Sequence, residues 1–374
     1  MVVFCGGVGG SDIEEMVARA RTSAGLDSLE RALSTGGYAR ALFITDRPEL
    51  VRDAPDGVEV RPSPAPFHFG RDLAALVSAE GIDRLLYFGG GAVPLLPAAD
   101  FAAIAARLAG DPVIITNNYF SADLVAVAPA TVMVGASLPA TDNPLPRLLH
   151  ERTGLPVESL ARGIATQLDI DTPTTPAIIA LHGGAGPRLG RLLCEADLPL
   201  EMFRRAARVF VDRERTALIA GRAGSHVWQF IERQTACRVR MYAEERGMQA
   251  DGRESAGLVR SLPGMLLDAL GFEAFFGRLA ELCDAAFLDS RVLTAHARRL
   301  PGRRDRFLSD LGRWQDIADP YLRDLTAAAA RAPIPILLGG HALVSGGLMA
   351  LVQAAWDEHD RERAPGHQPT PDAD

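Results

Sequence analysis

Asp169-Ile170-Asp171-Thr172-Pro173 is the segment whose residue types and spacing point most directly to chemistry. Residues two apart in a strand face the same side, so both carboxylates can converge on one point. Paired carboxylates are hard oxygen ligands suited to Mg²⁺ bridging phosphate oxygens. Thr172-Pro173 is expected to end the strand, with a helix over 175–181 following. The plainer use is an exposed strand end with Asp171 as helix cap.

Two glycine-rich turns accompany the pair. Gly6, Gly7, Gly9 and Gly10 lie between a first apolar run and a helix expected from about Asp12. Glycine lets a backbone approach a ligand without Cβ obstruction, and amides at a helix start can meet a phosphate. The spacing is neither Walker A, since no Gly-Lys-Ser/Thr follows, nor GxGxxG. Gly89-Gly90-Gly91 follows another apolar run. At both places a sharp turn seating the next helix is the competing use.

These segments need a scaffold. Runs at 2–5, 41–45, 58–61, 84–88, 113–116 and 124–128 read as strands, most apolar enough to be buried on both faces. Helical stripes alternate with them (Ile13, Met16, Val17, Ala20; then Leu73, Leu76, Val77). Another helix is expected to begin near Asp27-Ser28 and stop at Gly36-Gly37. Such alternation implies parallel βαβ units, with ligands at the strand carboxyl ends. The fold class is therefore α/β, a mostly parallel sheet flanked by helices, with a largely helical C-terminal region. Helices are expected over 201–215 and 262–293, and strands at 216–221, 238–243 and 334–338. The pattern leaves open whether these strands join the first sheet. The expected division is 1–195, 196–358 and a disordered polar tail at 359–374.

Composition narrows the classes. The chain has 374 residues, is 48% hydrophobic and 23% charged, and carries a formal charge of -8 with a pI near 5.6. No basic excess is present to neutralise a nucleic acid or an anionic membrane. Four scattered cysteines (Cys5, Cys194, Cys237, Cys283) form no CxxC pair, which fits free thiols in a reducing compartment. The start lacks a basic n-region and no long apolar stretch occurs, so neither a signal peptide nor a membrane span is expected, and the location expected is cytoplasmic.

Together, the first glycine turn, Asp27–Thr45 (DSLERALSTGGYARALFIT), residues 85–96 (LLYFGGGAVPLL) and residues 168–173 (LDIDTP) resemble the GT-A-like nucleotidyltransferases of the molybdopterin nucleotidyltransferase type, including the 2-phospholactate guanylyltransferases. The resemblance covers roughly residues 1–185. It implies a GT-A/Rossmann-like fold in which Gly6, Gly7 and Gly9 hold nucleotide while Asp169 and Asp171 hold Mg²⁺. The family's first turn continues through an Arg and a Lys that grip phosphates; here Asp12, Glu14 and Glu15 stand there, with Arg19 or Arg21 as replacements. The family's acidic residue before its Pro-Leu element is replaced by Gly91-Ala92-Val93, and Asp123 is the substitute metal ligand.

The implied partners are an NTP and a small phosphorylated acceptor, with no nucleic acid and no membrane; a homodimer stays open. The implied reaction joins an NMP to the acceptor with release of pyrophosphate. A glycosyltransferase using a nucleotide-sugar and a catalytically inactive nucleotide-binding protein are the alternatives. Arg71, with His68, is a candidate for the acceptor side, binding phosphate or carboxylate. Asn117 and Asn118 could read a base or sugar, as Gly90 and Gly91 could meet the nucleotide. Ordinary turn chemistry explains the asparagines equally well, and Asp142-Asn143 reads as a cap or turn. Beyond residue 196, Glu244-Glu245-Arg246 reads as a ligand site or ion pair. Asp289 and His296 read as sharing a helix face, Arg303 to Arg306 as a solvated patch, and Gly339-Gly340-His341 as a strand end.

Overall fold

The computed structural model describes residues 1–363 as two compact units. Unit 1 comprises Met1–Asp171 and Ala185–Ala196. Its elements run β1 (Val2–Cys5), α1 (Asp12–Leu33), β2 (Ala41–Thr45), β3 (Val58–Pro62), α2 (Phe69–Glu80), β4 (Leu85–Gly89), α3 (Ala98–Leu108), β5 (Val113–Thr116), β6 (Leu124–Ala128), α4 (Leu145–Thr153), β7 (Val157–Ser159) and the short α5 (Ile164–Gln167). Thr172–Gly184, carrying α6 (Thr174–His182), counts with unit 2, and α7 (Pro187–Glu195) returns to unit 1.

The sheet order is β3-β2-β1-β4-β6-β5-β7, parallel except for β6, which pairs antiparallel with both β4 and β5. Alternating side chains build a core layer on each face. Val3 and Cys5 pack with Phe43, Phe88 and Phe101 on one side; Val2 and Phe4 pack with Phe69, Leu73 and Leu145 on the other. Each such buried aromatic or aliphatic side chain contributes about 1.5–3 kcal/mol.

The helix expected to begin near Asp27 is instead the second half of α1, a single 22-residue helix. Gly25 sits inside it because a Cβ there would come 3.0 Å from the Phe43 ring and 3.1 Å from the Gly90 carbonyl oxygen. Asp27 anchors α7: its carboxylate accepts from Arg188 N (3.2 Å), Leu189 N (2.9 Å) and Arg188 Nη1 (3.1 Å).

Unit 2 comprises Thr172–Gly184 and residues from Asp197 onward. After α6 come α8 (Leu200–Ala207), β8 (Thr216–Gly221), α9 (Ser225–Gln234), β9 (Arg238–Ala243), α10 (Leu262–Leu270), α11 (Phe272–Leu282), β10 (Ala285–Asp289), α12 (Ser290–His296), α13 (Arg303–Asp310), α14 (Pro320–Ala330), β11 (Ile336–Gly339) and α15 (Gly346–Arg363). Helices predominate, but they surround a separate four-stranded sheet, β11-β10-β8-β9, parallel throughout. The long helix expected over 262–293 is therefore interrupted by β10, whose residues are all buried. The helix expected over 201–215 ends at Ala207 and tightens into a 3₁₀ turn. Residues 359–363, expected in the tail, complete α15; the remainder of that tail, 364–374, lies outside the described residues.

One reading of this region changes and two are refined. Asp289 ends β10 and pairs with Arg222, while His296 accepts from Ser261 N (3.0 Å) and meets Asp268, so the two share no helix face. Glu244 accepts from the Ser261 hydroxyl and Leu262 N, and Glu245 pairs with Arg253. Residues 303–306 open α13 with Arg303 and Arg304 exposed, as a solvated patch requires, but with Asp305 buried and Arg306 half-buried. Among the described residues no helix is long and apolar enough to cross a membrane.

Candidate functional site

Strands β1 and β4 are neighbours whose flanking connections diverge, β2 and β3 to one side and β6 and β5 to the other. In open α/β sheets the crevice at the carboxyl ends of such a pair is where ligands bind. Both glycine turns emerge there. Gly7 and Gly10 hold φ of 73° and 120°, a region costly for other residues. Asp46, at the end of β2, accepts from Gly7 N at 3.1 Å, and a Cβ on Gly6 would lie 2.4 Å from its Oδ1. Arg47 lies over the turn: its Nη1 donates to Val8 O (3.2 Å) and its Nη2 to Glu15 (2.9 Å). A Cβ on Gly9 would lie 2.6 Å from that Nη1.

Arg21, one of the two expected replacement cations, projects from α1 into this place. With Arg47, Cys5, Gly6, Val8 and Thr22 it lines a small pocket beside the opening turn. Its Nε is sealed from solvent without a hydrogen-bond partner among the described residues. Burial opposes its charge, yet Cys5, Asp171, Asp169 and Tyr87 together hold its pKa above the ordinary arginine value.

The second glycine turn brings the carboxylates to the same place. Ile170 N donates to Gly91 O at 2.8 Å, and Asp169 forms an isolated bridge with Ala92. The expected strand is thus a single bridge, with Asp171 on the bend beyond it. A Cβ on Gly91 would meet Ile170 O at 2.7 Å, and one on Gly90 would meet Cys5 Sγ at 2.4 Å. Close packing accounts for both glycines, so ligand approach is not needed to explain them.

The Asp169 and Asp171 carboxyls lie side by side, so that a proton on one can be shared with the other. Burial, then the charges of Asp171 and Asp123, raise the Asp169 pKa well above the usual carboxylate range. Asp123, the substitute carboxylate, faces the pair; burial and the charges of Asp171 and Asp142 push it up to about 7. Asp142 proves to be more than a turn residue: its Oδ2 accepts from the Tyr87 hydroxyl at 2.8 Å, and burial raises its pKa.

Other candidates fall to structural roles. Asn117 is buried, with Nδ2 donating to Asp123 and Thr166 O and Oδ1 accepting from Asp123 N and Leu124 N. Its polar atoms are used in holding Asp123 and leave nothing to read a base. Asn118 Oδ1 accepts from Phe120 N, a turn bond. Arg71 is exposed and folded onto Asp72 and Pro66 O, and His68 caps α2; the cation facing the carboxylates is Arg21. Reading the sequence missed Asp46, Arg47 and Tyr87. A charged pair directly after a buried strand was the available signal for the first two.

Four carboxylates opposed by one arginine make an excess of negative charge that a divalent cation would relieve. Among the described residues no three acidic, histidine or cysteine side chains already surround one point as metal ligands. Mg²⁺, however, is commonly held by one or two carboxylates plus substrate phosphates, and the Asp169–Asp171 pair fits that need.

The crowding has a measurable consequence. Because the folded pKa of Asp123 lies above its ordinary value of 3.8, the folded chain binds the extra proton and ionisation works against folding. That penalty is absent well below pH 4 and complete above about pH 7. Asp123→Asn should therefore raise Tm at pH 8 by at least about 2 °C, with the gap narrowing at pH 5. An equal gap at both pH values would contradict the crowded-carboxylate picture.

No protein-family model and no curated protein sequence matches the chain. Among solved structures, CMP:2-keto-3-deoxy-manno-octonic acid synthetase complexed with CTP is similar over 43% of this chain and 89% of its own, at 14% identity and a TM-score of 0.32. A candidate nucleotide-diphospho-sugar transferase from Desulfovibrio desulfuricans G20 is similar over 52% of this chain and 94% of its own, at 13% identity and a TM-score of 0.36. Likeness at this level bears on neither activity nor substrate.

Proposed function

We propose that unit 1 is a Mg²⁺-dependent nucleotidyltransferase that joins an NMP from an NTP to a small phosphorylated acceptor. The observation that carries this reading is the position of Arg21: it lines the pocket beside the opening glycine turn and carries the field of Asp169 and Asp171. One cation thus links the two halves of the site, where triphosphate and metal would have to meet. Arg21, Arg47 and the amides of the glycine turn would take the phosphates. Asp169 and Asp171, with Asp123 beside them, would hold Mg²⁺, which neutralises phosphate charge when bound. An acceptor phosphate oxygen attacks the α-phosphorus, the bond from that phosphorus to the bridging oxygen breaks, and pyrophosphate leaves with the electron pair. The protein's contribution is positioning and charge complementarity.

The direct test is a thermal-shift screen of the four NTPs with and without Mg²⁺. One nucleotide at 100 times its dissociation constant should stabilise the chain by about 2.7 kcal/mol. Arg21→Gln should remove most of that gain. No stabilisation by any NTP in the presence of Mg²⁺ would end the proposal.

A further inference from the structure

The second sheet has a switch point of its own, between β8 and β10. The strands approach so closely there that a Cβ on Gly221 would lie 2.2 Å from the Asp289 Cβ. Two buried ion pairs stand at this edge: Arg222 with Asp289, and Arg291 with Asp310 through both terminal nitrogens (2.8 and 2.6 Å). Asp289 and Asp310 are thereby paired, yet one more arginine is present. Among the described residues Arg306 makes no side-chain hydrogen bond or ion pair, its Nε is sealed from solvent, and it faces Arg291 and Arg303 as well as Asp310 and Glu254. A part-buried guanidinium without a partner is costly unless an anion completes it.

A second, independent set of orphaned groups also borders Arg291. A Cβ placed on Gly340 would lie 3.8 Å from Arg291 Nε and 3.6 Å from Thr172 Cγ2, so Thr172 and Arg291 border the same spot after β11. Thr172 precedes α6, and the hydroxyls of Thr172, Thr174 and Thr175 are all sealed without a hydrogen-bond partner among the described residues. Thr174 and Thr175 are 0% exposed. A buried hydroxyl left without a hydrogen bond is costly. Three of them at the start of a nine-residue helix, beside arginine, match the donor chemistry of a phosphate site.

We propose that the carboxyl edge of the second sheet binds a phosphate group, taken by Arg306, Arg291 Nε and the Thr172 hydroxyl at the start of α6. This site is separate from the one in unit 1 and does not depend on nucleotidyl transfer. The two can be tested apart by titrating inorganic phosphate calorimetrically into the full chain carrying Arg21→Gln, which disables the unit 1 pocket. Phosphate should still bind. Adding Arg306→Gln should weaken it at least tenfold, and adding Thr172→Val should weaken it severalfold with the charge unchanged. If Arg306→Gln does not fold, Thr172→Val decides the matter. If Arg21→Gln does not fold, the same comparison is made in the otherwise unaltered chain by thermal shift. Absence of phosphate binding overturns the proposal, as does undiminished binding in the variants or equally tight binding of acetate at matched ionic strength.

Discussion

Asp171→Asn is expected to lower pyrophosphate release by about 10²–10³-fold without destabilising the chain. Asp171 is the exposed member of the pair, while Asp169 is held by the bridge to Ala92 and is the more enclosed. The outer carboxylate therefore meets any cation brought in with a nucleotide, and the inner one backs it. Asparagine keeps the shape and a hydrogen-bonding group toward Asp169 while removing a charge from a crowded cluster. Folding stability should consequently stay level or rise as activity falls, the pattern of a site kept at some expense to the fold. The measurement is pyrophosphate release with the NTP that gives the largest thermal shift, across a panel of phosphorylated small molecules. Mn²⁺ titration followed by electron paramagnetic resonance supplies a readout independent of turnover. Turnover and Mn²⁺ affinity both equal to those of the unaltered chain would remove the metal role from Asp171.

Asp27→Ala should produce the largest loss of stability, about 3–5 kcal/mol. The Asp27 side chain is 1% exposed, and it receives two backbone amides at the start of α7 together with the Arg188 guanidinium. Alanine leaves those donors without their acceptor, and Glu30 satisfies only the outer edge of Arg188. Because α7 packs on α1 within unit 1, the transition that moves should be that of unit 1, with the other unit's midpoint unchanged if the units unfold separately. Asp27→Asn should recover part of the loss. A denaturant midpoint shift equivalent to under about 1 kcal/mol at constant slope would show that α7 is held by its apolar face instead.

Local pattern was sufficient for β1 to β6, because an apolar run such as Val113–Thr116 is buried on both faces whichever neighbours it acquires; the short, largely exposed β7 carries no such run and was missed. It was also sufficient to place glycines at strand ends, since a chain must turn there. It misled where one segment satisfied two patterns: AAFLD in β10 is apolar enough to extend a helix, and pairing with β8 and β11 decided otherwise. Asn117 shows the same limit at a polar residue. Its side chain looks available in sequence and is fully occupied once β5 and β6 pair.

By itself the sequence determined that the chain is α/β, that glycine turns follow buried strands, and that Asp169 and Asp171 stand two apart at one place in the chain. Tertiary structure alone decided that Asp123, Asp142 and Arg21 surround that pair, that Arg47 from a different loop covers the opening turn, and that the segment beginning at Thr172 joins the second unit. The reason is physical: periodicity and turn chemistry are set by neighbours along the chain. Charge coupling and hydrogen bonding between distant segments depend on strand order and register, which no single segment encodes.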